Sequence, residues 1–233
     1  MFEPKLSNPM KATIEDIKKK LAIHAYKNEE QIRFSLVSRL LSELEWDIWN
    51  PEEVRTEFQA NDGKSERRRI DIALFIDPFT PPVYFEIKTA DKLSNQNDLK
   101  KAEIQLRDYN VDLTALFTIL TDGYQWRFYY SQEGGTFSQK CFKVINLQDD
   151  DIDDIEFVFL SFLSKQAIVS GKAKNEAFEY LQMSRKQRIM EDSLANAKKA
   201  QDSDPFLNSV EALILEVKKK GISINQEEAA EFL

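Results

Sequence analysis

The clearest alternation of apolar and polar positions runs from Arg67 to Lys88, RRRIDIALFIDPFTPPVYFEIK. Ile70, Ile72, Leu74 and Ile76 alternate with Asp71, Ala73 and Phe75, and Val83, Phe85 and Ile87 alternate with Tyr84, Glu86 and Lys88. Period-2 alternation with β-branched residues predicts two half-buried strands. The break Pro78-Phe79-Thr80-Pro81-Pro82 cannot lie inside a central strand, so it predicts the turn of a hairpin. Folding back near residue 80 sets Asp71 across from Lys88 or its neighbour. Asp71, Glu86 and Lys88 then share one face, and the apolar residues share the other.

Helical spacing dominates elsewhere. Ile14, Ile17, Leu21 and Tyr26 predict a helix over residues 13–27, with Thr13 as its cap. Ile32, Leu36, Val37, Leu40, Leu41 and Leu44 predict a second, opened at Asn28 or a neighbour. Trp46 to Trp49 reads as a short strand or turn, and Val54 to Phe58 as a strand. After a loop at Ser94 to Asn97, a helix is expected over Asp98 to Tyr109, with Gln105 and Tyr109 four apart on one face. Leu113 to Leu120 is a nearly continuous apolar run, as in a buried central strand. Asp122-Gly123 turns the chain, Trp126 to Tyr130 returns, and a further strand is expected from about Phe137 to Ile145. This order predicts an α/β core with a mixed sheet flanked by helices. The acidic run Asp149 to Asp154 marks a boundary between residues 1–148 and a C-terminal helical extension, 149–233. Helices are expected there at about 153–169, 171–201, 205–219 and 225–232. Ile155, Val158, Phe159 and Phe162 would pack on the core, whereas the stripe of Ala177, Phe178, Leu181 and Met190 is narrow and needs a partner helix, from this chain or a second copy.

Composition excludes several classes. One cysteine, Cys141, allows no internal disulfide or cysteine zinc cluster, and one histidine, His24, allows no multi-histidine site. No apolar run approaches a membrane span, and residues 1–11 lack a signal-peptide core, so a cytoplasmic protein is expected. The formal charge of −8 is unevenly spread: residues 1–148 hold 21 Lys/Arg against 23 Asp/Glu, and residues 149–233 hold 11 against 17. A local basic patch therefore remains compatible with phosphate binding. Lys64, Arg67, Arg68 and Arg69 form such a patch beside the hairpin, and Lys92, Lys100, Lys101 and Arg107 would extend it.

Two carboxylates beside a lysine on a rigid sheet form a site for a divalent cation and a phosphate. Asp71 and Glu86 are hard oxygen ligands suited to Mg²⁺, alternatively Mn²⁺, with the Ile87 carbonyl as a further ligand. Glu-x-Lys alone is a weak motif; the competing reading is a solvated, charged hairpin face.

The same residues resemble the PD-(D/E)xK nuclease superfamily. More narrowly, residues 28 to 130 are similar to the N-terminal nuclease domain of type I restriction enzyme R subunits. Glu29-Glu30-Gln31-Ile32-Arg33 resembles the family's opening helix, Arg69 to Ala73 its first motif strand and Phe85 to Lys88 its second. Gln105 and Tyr109 match its Q-x-x-x-Y helix, and Ile119 to Gly123 with Trp126 to Tyr129 match the following strand pair. The resemblance implies a restriction-endonuclease-like core and a Mg²⁺-dependent DNA endonuclease. Asp71, Glu86 and Lys88 would be catalytic, Glu29 (or Glu30) would orient outer waters, and Gln105 and Tyr109 would fix Lys88 or a phosphate oxygen. Lys88 would position the attacking water or offset charge in the transition state. DNA and restriction-system subunits, or a second copy docked through the C-terminal helices, are the implied partners. The proline of the superfamily name is absent before Asp71. No G-x-x-x-x-G-K-[ST] loop occurs, so no ATP site and no motor are expected in this chain. Two other readings stay open: a catalytically silent nuclease fold used in nucleic-acid binding or assembly, and a partner-docking subunit.

Overall fold

A computed structural model of the protein describes residues 8–59, 69–111, 114–197 and 205–233. Its centre is one six-stranded sheet in the order β1-β2-β3-β4-β5-β6: β1 (Val54–Gln59), β2 (Arg69–Leu74), β3 (Val83–Ile87), β4 (Phe117–Thr121), β5 (Gln125–Tyr130) and β6 (Cys141–Asn146). Only β3 and β4 pair in parallel; the other neighbours are antiparallel. A parallel pair needs a long crossover, and helix α4 (Gln96–Tyr109) supplies it. This is the expected α/β restriction-endonuclease-like core with a mixed sheet.

The central hairpin forms, but in a different register. Ile72 pairs with Phe85 and Leu74 with Val83, so Asp71 falls opposite Glu86 and not Lys88. The turn is centred earlier than residue 80, because the Asp77 carboxylate accepts the amides of Phe79 and Thr80 at 2.8 and 3.0 Å and fixes the bend there. Nor is the hairpin half-buried: all five positions of β3 are buried. Leu99, Ala102, Leu106 and Tyr109 of α4 cover Ala73, Phe75 and Tyr84 on one face. On the other face Phe85 meets Trp126, and Trp126 meets Phe159 with ring centres 4.9 Å apart.

Helix α1 spans Pro9–Ala22 and starts earlier than expected. Asn8 caps it by accepting the Met10 amide, Pro9 occupies the first turn, and Thr13 is instead buried and donates to Glu43 at 3.0 Å. The second helical stretch comprises α2 (Glu29–Ile32), a π-helical turn at Arg33–Val37 and α3 (Ser38–Glu43), with Asn28 as cap. Residues 48–49 form a turn, and 46–47 before it are irregular. The expected strand from Phe137 begins as a 3₁₀ turn, Phe137–Lys140, because Thr136 and Gln139 form a capping box; only Cys141–Asn146 is extended.

The chain divides into two compact units, Met1–Phe178 and Glu179–Leu233. The first runs past the acidic run at 149–154, because α5 (Ile152–Leu163) buries Phe159 and Phe162 under the sheet. The Trp46 indole also donates to the Leu163 carbonyl at 2.8 Å. Ser164 then breaks the helix and caps α6 (Lys165–Val169). The division falls within α7 (Lys172–Ala197). In the second unit, Met190 packs on Val210, Leu213 and Val217 of α8 (Pro205–Lys219), and on Ile224 and Ala229, the latter in α9 (Gln226–Phe232). Met190, the last residue of the narrow apolar stripe of α7, thus finds partner helices in this chain.

Candidate active site

The end of β3 gathers most of the residues expected to carry chemistry. Antiparallel partners point to the same face, so Asp71 and Glu86 stand side by side, with Lys88 two positions on. The Asp71 carboxylate accepts the Ile87 amide through Oδ2 at 2.6 Å. Lys88 Nζ lies 2.5 Å from Glu86 Oε1 and 3.0 Å from Gln105 Oε1. The Gln105 amide in turn donates to the Tyr109 hydroxyl, as one-turn spacing on α4 allows. Glu29 reaches the same strand end: its carboxylate accepts the amide and hydroxyl of Thr89 at 3.0 and 3.1 Å. Glu30 turns instead to Arg33.

Glu86 is the unusual group. It is 3% exposed, and its Oε2 accepts no hydrogen bond from the described residues. A buried carboxylate oxygen without a partner is costly, so its acid is favoured. Burial, relieved in part by Lys88 and worsened by Asp71, pushes the Glu86 carboxyl up to about 7. Asp71 is also raised by burial, against the Ile87 amide, Lys88 and Arg33. Because the folded value of Glu86 lies above the unfolded one, folding costs nothing through this group below pH ~4.5 and loses stability as pH rises from there to about 7. The full effect is on the order of 3 kcal/mol. A carbon-13 NMR titration in EDTA should place the Glu86 carboxyl midpoint near 7, and denaturant unfolding should show the metal-free protein weakening across that interval. A midpoint near 4.5 would contradict the orphaned-oxygen account.

Asp71 opens onto a cleft of about 410 Å³, lined also by Asn28, Glu29, Glu30, Arg33, Glu57, Ile87 and Thr89. Four of these, Asn28, Arg33, Glu57 and Thr89, were not anticipated as site residues, and two of the four are charged. Glu57 lies on β1 opposite Asp71, and Arg33 binds both Glu57 and Glu30. Among the described residues no three His, Cys, Asp or Glu side chains are arranged to hold a metal. The oxygens left as candidate donors are Asp71 Oδ1, Glu86 Oε2 and the Ile87 carbonyl. So spare a set fits a hard ion that keeps several waters, as Mg²⁺ does.

Lys64, Arg67 and Arg68 lie outside the described residues, and Arg69 is exposed at the start of β2. Lys100 is exposed, but Lys92 and Lys101 both lie near Asp98, at 3.8 and 3.5 Å, and Arg107 binds Asp108 at 2.8 Å. Their charge is partly spent within the chain. Asp122, expected only as part of a turn, also accepts the amides of Leu93, Tyr124 and Gln125, joining the entry of α4 to the β4–β5 turn. Gly123 makes that turn at φ +88°, where a side chain would be strained. No helix among the described residues is long and apolar enough to cross a membrane.

A mixed sheet with one parallel crossover, carrying an acidic cleft beside a strand-end lysine, defines a restriction-endonuclease-like core. Residues 28–145 match the family described as type I restriction enzyme R protein N terminus, and the chain belongs to that family. It is thereby a restriction-system module of nuclease type. No curated protein and no solved structure matches the chain.

Proposed function

We propose that the chain is a metal-dependent DNA endonuclease module of a restriction or defence system, of the PD-(D/E)xK type. The observation that carries this reading is the buried, unpartnered Oε2 of Glu86 beside Asp71, with Lys88 tethered next to both. Asp71 Oδ1, Glu86 Oε2 and the Ile87 carbonyl would hold Mg²⁺ or Mn²⁺. The bound ion supplies Lewis-acid polarisation of a phosphate and a more acidic water. Lys88 faces the same place and balances negative charge that grows on the phosphate during attack. Gln105 holds the ammonium in position, and Tyr109 holds Gln105. Glu29 fixes the backbone immediately after Lys88 through Thr89. Family membership supports DNA as the substrate and restriction-system subunits as partners; exposed Arg69 would contact the phosphate backbone.

The test is cleavage of plasmid DNA by the purified chain. Mg²⁺ or Mn²⁺ should support nicking, EDTA should abolish it, and Asp71→Asn should lower it by at least ~100-fold. DNA binding without cleavage under every cation condition would replace this reading with that of a silent nuclease fold.

A further inference from the structure

Arg33 begins the π-helical turn Arg33–Val37, which widens the helix where it faces the cleft. Its side chain is 18% exposed. One guanidinium nitrogen binds Glu30; the other binds Glu57 and lies 3.9 Å from Asp71 Oδ1. That last separation is too long for a hydrogen bond and short enough for strong attraction. Asp71 Oδ2 is already committed to the Ile87 amide, so Oδ1 is the oxygen left for a cation. Arg33 therefore stands beside the one Asp71 oxygen that a divalent ion needs.

Glu57 is placed to complete the exchange. The β1–β2 ladder pairs Thr56 with Ile72 and Phe58 with Ile70, and skips Glu57 and Asp71 between them. Glu57 sits there at φ +50°, in the left-handed region, within an otherwise extended strand. Among the described residues lining the cleft, Glu29, Glu30, Glu57 and Asp71 are acidic and Arg33 is basic. The Glu86 Oε2 beside Asp71 is buried and has no hydrogen-bond partner among the described residues.

We propose that Arg33 is a positioning residue, the fixed counter-cation of the cleft: it holds Asp71 until a divalent ion replaces it, and Glu57 retains the guanidinium when that happens. This rests on the reading of Asp71 and Glu86 as a cation site. The Arg33–Glu57 pair then sets the affinity of that site, because a charge so close to Asp71 Oδ1 opposes a second positive charge there.

Calorimetric titration of MnCl₂ into the metal-free full chain tests this without recourse to activity. Arg33→Gln should tighten binding by about tenfold, since it removes a competing charge and releases two carboxylates. Glu57→Gln should weaken binding by about fivefold, since the guanidinium is then free to settle on Asp71. The double variant should bind about as tightly as Arg33→Gln, because without the guanidinium the loss of Glu57 releases nothing onto Asp71, and Asp71→Asn should remove binding. A residue with a merely structural role would weaken the site when lost, so weaker or unchanged binding in Arg33→Gln overturns the proposal. Should that variant fail to fold, unchanged binding in Glu57→Gln, whose side chain is 46% exposed, overturns it equally. Full binding in Asp71→Asn would instead overturn the cation site itself.

Discussion

Lys88→Ala is expected to lower Mg²⁺-supported DNA cleavage by at least ~100-fold while leaving the fold intact. Its side chain is 24% exposed, and its ammonium is shared between Glu86 and Gln105, so truncation opens no large cavity. On the proposed mechanism, what is lost is the positive charge that balances the attacked phosphate. A second signature separates this from a general loosening of the site. Lys88 is the main influence pulling the Glu86 carboxyl down against burial. Without it, the Glu86 midpoint should climb above its parent value, and NMR titration in EDTA reads that directly. Single-turnover cleavage measures the first effect. Activity within about threefold of the parent would remove Lys88 from the mechanism, whatever happened to Glu86.

The parts of this site that were legible in the sequence are those fixed by periodicity. Alternation put Asp71, Glu86 and Lys88 on one face, and one-turn spacing put Gln105 beside Tyr109. Both follow from backbone geometry that any strand or helix imposes. Register was not legible, because it depends on where the turn closes. Asp77 closes it early, and that moves Asp71 from Lys88 to Glu86. The roles of Arg33 and Glu57 were hidden for a related reason. Each occupies a departure from regular geometry, a π-helical turn and a left-handed residue in a strand, and neither leaves a periodic trace. Some misses had a readable signal. Asn8-Pro9 is a cap followed by the proline that favours a first turn, and Thr136 with Gln139 is a capping box. The domain division was obscured by charge. The acidic run at 149–154 marks the surface start of α5, where Asp151 caps the helix and Asp153 and Asp154 suit its dipole. It marks no break in the core.

Phe159→Ala is expected to destabilise the protein by about 3–5 kcal/mol, because it removes a large aromatic ring from a closed interior. Phe159 is fully buried; it meets the Trp126 ring edge-on at 4.9 Å and lies 6.3 Å from Phe128. The helix that carries it lies beyond the 28–145 stretch that defines the family, yet closes the face of the sheet opposite α4. Phe157 is the internal control. It sits on the same helix, is 52% exposed, and Phe157→Ala should stay within about 0.5 kcal/mol of the parent. Urea unfolding followed by tryptophan fluorescence and by circular dichroism makes the comparison. Buried Trp126 meets Phe159 and buried Trp46 bonds the end of α5, so fluorescence reports chiefly that interface while ellipticity reports the helices of both units. A loss below about 1 kcal/mol for Phe159→Ala would mean that the sheet keeps its face without α5, and that residues 28–145 suffice for the core. The larger loss would make α5 a required layer of the domain that presents Asp71, Glu86 and Lys88, since these side chains are held in place only as rigidly as the sheet beneath them.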